Sequence, residues 1–154
     1  MHKPHFHHPI FCFISPDSDY IYGFNYLMGH NKNYHLGVLY LMRLLMNADG
    51  IVDSSENEAL NKVKQHEGIP EATLIEFEKD VINKEEKEIY QSGIDYLNLC
   101  SNEEKLNAFV HLYKMYEADG RVHVKEVRLL LYSVRQAKIE FNDVVSLAKQ
   151  LKYL

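Results

Sequence analysis

Two stretches of this chain repeat one another at a fixed offset of 70 positions, and that repeat limits the possible folds more than any other feature. With residues 39–77 set above residues 109–147, Ala48-Asp49-Gly50 lies over Ala118-Asp119-Gly120, Val52 over Val122, Glu56 over Glu126, Leu60 over Leu130 and Ile69 over Ile139. Apolar character also agrees at Met42 and Leu112, Leu45 and Met115, Leu74 and Val144, and Phe77 and Leu147. The identities cluster on one turn and on positions spaced like a core. Self-similarity of this kind marks a duplicated supersecondary unit and fixes the architecture before any single element is assigned.

Each copy reads as helix, tight turn, helix, short break, helix. In the first copy Leu36, Leu39, Met42, Leu45 and Met46 have the i, i+3, i+4 spacing of a buried helical face. Asp49-Gly50 ends that helix, because glycine tolerates the left-handed backbone of a turn. Asp53-x-x-Glu56 has the form of a capping box and opens a second helix, Ser54 to Glu67. Gly68 is a stop signal, and Pro70 suits the first turn of a third helix. In the second copy Ser101-x-x-Glu104 opens a helix to Ala118 with Phe109, Leu112, Tyr113 and Tyr116 on its apolar stripe. Asp119-Gly120 then turns the chain, and a last helix covers Asn142 to Leu151. Between the copies, Glu85 to Leu99 form a linking helix with Ile89, Tyr90, Ile94 and Leu97 on one side. The expected fold is all-α: about seven helices in two pseudo-symmetric halves, with no strand, since period-two alternation is absent over any useful length.

Residues 1–33 differ from the rest. They hold three of the four prolines, the cluster His2, His5, His7 and His8, and seven aromatic residues from Phe6 to Tyr26, with no helical period. They are read as an extension before a helical domain at 34–154. The extension is either a poorly ordered segment, a chain start placed upstream of a true start at Met28, or a histidine tail for nickel, copper or zinc. A tail of that kind lacks the supporting hydrogen bonds that make a metal site selective.

The formal net charge of −5 falls entirely after residue 35. An acidic domain repels phosphate backbones, so no nucleic-acid partner is expected; divalent cations and basic protein surfaces suit it better. Cys12 and Cys100 are far apart and form no Cys-x-x-Cys pair, which excludes a zinc ribbon and a thioredoxin-type motif. Cys100, amid apolar neighbours, reads as a buried small hydrophobe. No apolar run approaches the ~20 residues that span a bilayer, so no membrane insertion and a cytoplasmic location are expected. No nucleophile elbow, phosphate-binding glycine loop, His-Glu-x-x-His or Glu-x-x-His pair occurs, and the chain is not expected to be an enzyme. His66, His111 and His123 are isolated in sequence.

The doubled motif Asp-Gly-x-Val-x-x-x-Glu superficially matches the second half of an EF-hand loop, with Gly50, Val52 and Glu56, and Gly120, Val122 and Glu126, at the right spacing. Leu45 and Met115 fall where the first calcium carboxylate belongs, so a normal EF-hand is rejected. The doubled Ala-Asp-Gly-x-Val-x-x-x-Glu turn in an all-helical chain resembles the TerB tellurite-resistance family, which includes the TerB-like N-terminal region of the DjlA type of membrane-anchored co-chaperone. The resemblance covers about residues 34–150. It implies a compact, two-half helical fold and an acidic cluster for a divalent metal, with calcium, zinc and manganese not distinguished. Carried over by motif, the metal residues are Asp49, Asp53 and Glu56 in the first copy and Asp119 and Glu126 in the second. His123 stands where Asp53 does, which softens that site, and Glu117 is its possible replacement. Ordinary chemistry accounts for the same residues: Asp before Gly makes turns, and Glu at a helix start caps it and gains ~0.3–1 kcal/mol from the dipole. Two functions follow: an ion-binding domain of metal or oxyanion stress, or a protein-interaction module of co-chaperone type using its acidic surface or the groove between halves. The chain has no J-domain His-Pro-Asp signature.

Overall fold

A computed structural model of the chain describes residues 31–47, 54–118 and 124–152, with the side chains of Glu56, Ala118 and Glu126 left aside. The N-terminal histidine cluster and both Asp-Gly turns lie outside the described residues. The described residues form seven helices and no strand: α1 (Lys32–Met46), α2 (Ser54–His66), α3 (Glu71–Val81), α4 (Glu86–Asn98), α5 (Asn102–Ala118), α6 (Val124–Gln136) and α7 (Phe141–Ala148). Among them no helix is long and apolar enough to cross a membrane.

The offset of 70 recurs in the backbone. Helices α1 and α5 start 70 residues apart, as do α2 and α6, and α3 and α7. At the first starts, Asn31 Oδ1 accepts the Tyr34 N–H at 2.9 Å, and Ser101 Oγ accepts the Glu104 N–H at 3.2 Å. Glu104 also accepts the Ser101 N–H at 2.9 Å, completing the capping box expected there. Helix α1 therefore begins at Lys32, two residues before the boundary drawn from composition. Helix α7 ends at Ala148 rather than Leu151, because tight turns from Gln150 to Leu147 and from Leu151 to Ala148 take over.

The break after the second helix of each copy is the same turn. Gly68 N–H donates to Gln65 O and Ile69 N–H to Lys64 O; Lys138 N–H donates to Arg135 O and Ile139 N–H to Val134 O. This is the Schellman arrangement, which needs a left-handed residue just past the helix. Gly68 and Lys138 both stand at φ 59°. Glycine adopts that conformation without cost, whereas lysine brings its Cβ against the backbone. Lys138→Gly is expected to raise stability by about 0.5–1 kcal/mol, the relieved strain exceeding the extra freedom of the unfolded chain. Urea unfolding of the single variant checks this; a lower midpoint would contradict it.

Helix α1 is the centre of the molecule. Every residue from Tyr34 to Met46 is buried except Arg43. A helix apolar on all sides must be enclosed, and α1 is enclosed by α3, α4 and α5. Its contact with α4 is close because each helix offers a glycine to the other's leucine: Leu97 packs over Gly37, and Leu41 over Gly93. Tyr40 joins three helices. Its ring lies edge-on to Phe77 at 5.0 Å and stacks on Tyr96 at 5.7 Å, and its hydroxyl donates to the Asp80 carboxylate. Asp80 also pairs with Lys84 at 2.6 Å. In the second copy α5 packs on α7, as α1 does on α3.

Cys100, just past α4, is buried, and its thiol donates to Tyr96 O at 3.4 Å. Burial first, and then the Glu104 charge, push that thiol up to about 11. In a Cys12→Ser chain, alkylation of the folded protein at pH 8 is expected to run at least a hundredfold slower than that of an exposed cysteine, since thiolate is the reactive form. A rate equal to that of the unfolded chain would contradict the burial.

Candidate metal centre

The Schellman turn at Gly68 sets the end of α2 and places His66 in its last turn and Glu67 just past it, Glu67 N–H still donating to Val63 O at 2.9 Å. The two side chains meet His111, which comes from the middle of α5, the helix packed against α2. Glu67 Oε1 lies 3.0 Å from His66 Nδ1 and 2.6 Å from His111 Nε2. The two imidazoles face each other nearly edge-to-face, with ring centroids 5.7 Å apart. One carboxylate oxygen thus joins two imidazole nitrogens.

Burial is graded across this cluster. The side chains of His111 and Glu67 are 2% and 5% exposed, whereas that of His66 is 37% exposed. A carboxylate taken out of water needs charge-assisted partners, and the imidazoles supply them. Tyr34, from the first turn of α1, is fully buried nearby. Burial above all, and then the Glu67 charge, hold its phenol well above the ordinary tyrosine range. Tyr34 therefore stays protonated and neutral at any physiological pH.

The donor set is two imidazole nitrogens and one carboxylate oxygen, all within 4.8 Å of one another. Zinc binds such atoms at about 2.0–2.2 Å, which places tetrahedral ligands about 3.3 Å apart. The observed separations of 3.0 and 2.6 Å are shorter than this by about 0.3 and 0.7 Å, so the side chains must spread by that much around an ion. A cation entering here takes the place of the proton shared between Glu67 and an imidazole. Three protein ligands leave a fourth position, and the half-exposed His66 puts the cluster within reach of solvent.

Most of the residues expected from the doubled motif are not among those the structure describes. Asp49, Asp53, Asp119 and His123 lie outside the described residues. Glu56 and Glu126 fall near the starts of α2 and α6, with side chains outside the described set. Glu117 is exposed on the last turn of α5. The phenol of Tyr113, one turn before it, is raised by burial first and then by its hydrogen bond to the Glu117 carboxylate. Glu117 is not part of the His66–Glu67–His111 cluster.

Sequence reasoning passed over the cluster because 44 residues separate Glu67 from His111. The repeat itself carries the missing signal. His66-Glu67 lies over Gln136-Ala137, and Leu41 lies over His111. Ala137 and Leu41 are buried. Polar residues therefore stand in one copy where the other copy has core. No family model, no curated protein and no solved structure matches this chain.

Proposed function

We propose that this chain is a non-enzymatic, TerB-like domain that binds one divalent transition-metal ion at His66, Glu67 and His111, in the service of metal or oxyanion stress. The observation that carries the reading is the buried Glu67 carboxylate oxygen held within 3.0 Å of His66 and 2.6 Å of His111. Imidazole selects zinc, cobalt, nickel or copper over calcium and magnesium, which take oxygen ligands. The resemblance of the doubled acidic turns to the TerB family supports a metal-linked role, and the His66–Glu67–His111 cluster supports a site at the end of α2.

Titration calorimetry with zinc tests the reading. The full chain is used with His2, His5, His7 and His8 replaced by glutamine, so that the N-terminal histidines do not compete. One equivalent is expected, weakening as the pH is lowered, because a protonated imidazole does not ligate. Absence of binding at millimolar zinc would end the proposal. Two equal sites would return the ion to the doubled turns.

A further inference from the structure

A second feature, sharing no residue with the metal centre, is a groove of about 300 Å³ between α1, α2 and α3. Its floor is apolar: Leu39 from α1, Leu60 from α2, and Leu74, Phe77 and Val81 from α3. Leu39, Phe77 and Val81 are buried there. Ile82, at its edge, is 77% exposed, an unusual surface position for so large an apolar side chain. Two cations border this floor. Arg43 is one turn on from Leu39, and Lys64 one turn on from Leu60. Among the described residues neither has a carboxylate within ion-pair distance, whereas Lys32, Lys62, Lys84 and Lys125 each have one. Glu78 is the one acidic residue of the lining, so the groove carries a local positive balance in a chain of net charge −5.

We propose that this groove binds a single-chain carboxylate amphiphile, a fatty acid of ~8–10 carbons, with its chain on the apolar floor and its carboxylate at Arg43 and Lys64. Size and charge choose this occupant. The volume is at the small end of ligand sites, too small for a two-chain lipid. A planar carboxylate matches the guanidinium fork of Arg43, and the flexible Lys64 ammonium adds a second positive donor. A neutral or cationic amphiphile leaves both charges unanswered.

The test is an amide-resolved NMR titration of the full chain with sodium decanoate, octanoate and hexanoate, with decanol and decyltrimethylammonium as controls. Shifts are expected at Leu60, Leu74 and Phe77, with affinity rising about fourfold per methylene, as apolar burial requires. Arg43→Gln and Lys64→Gln each change a side chain that is at least partly exposed, and each is expected to weaken decanoate about tenfold while leaving decanol unchanged. Decanol binding as tightly as decanoate would overturn the proposal. So would shifts centred away from these helices, or no saturation below the micelle concentration. Displacement of decanoate at lower concentration by an acidic amphipathic peptide would overturn it in favour of a protein partner.

Discussion

Replacing Glu67 by glutamine is expected to lower zinc affinity by about 100-fold or more while leaving the fold intact. The amide keeps the size of the carboxylate and still bonds to one imidazole, but it removes the anionic ligand that balances the ion. His66→Gln changes a half-exposed side chain and is expected to lower affinity to a similar degree. His111→Ala takes a ligand away from a buried place and leaves the Glu67 carboxylate without its 2.6 Å partner. That variant loses stability as well as zinc, since a buried charge that loses one of its partners is costly. Melting curves separate the two effects. Zinc at a hundred times its Kd adds about 2.7 kcal/mol to the folded state, which for 154 residues corresponds to about 5–10 °C in Tm. The rise should appear in the chain with its N-terminal histidines replaced and vanish in Glu67→Gln and His66→Gln. An undiminished rise in both would place the ion elsewhere.

Alanine at Gly37 and Gly93 together is expected to cost about 2–4 kcal/mol, read as a fall in Tm of roughly 5–15 °C. A Cβ at Gly37 would stand 2.6 Å from Leu97 Cδ2 and 2.7 Å from its Cγ, and one at Gly93 would stand 2.8 Å from Leu41 Cδ2 and 3.2 Å from Tyr40 Cβ. Leu97 and Leu41 are both buried, so neither can swing out into solvent. Helix propensity opposes the clash, because alanine gains about 1 kcal/mol over glycine within a helix. At approaches below 3.0 Å overpacking falls in the upper part of its usual range, about 2–3 kcal/mol per site, and outweighs it, since α1 and α4 must move apart and loosen Tyr40 with them. A double variant as stable as the parent would show that the helices slide without cost.

The glycine contact also shows the limit of what could be read beforehand. Gly37 and Gly93 lie inside helical periods and carry no positive φ, so nothing local marks them as contacts; they matter only where two helices meet. The helices themselves were legible because their signals are local. The stripe from Leu36 to Met46, the Ser101-to-Glu104 box and Gly68 before Pro70 each act within a turn or two, and each appears where expected. Lys138 was not legible as a turn residue, since lysine carries no such signal and only its position 70 residues after Gly68 reveals it. The candidate site was the least legible part. Doubled motifs drew attention to Asp49 and Asp119, whereas the cluster at His66, Glu67 and His111 arises where the copies differ. Departures from internal symmetry, such as Leu41 against His111, deserve the weight usually given to the symmetry itself.

The enclosure of α1 bears on how the molecule can come apart. Its residues are covered by α3 from its own copy, by the linking helix α4 and by α5 from the other copy. Neither half can dissolve without baring this rod to water, so the duplicated units share one fate. Melting is then a single cooperative event rather than two, and a ligand gripping either half steadies both.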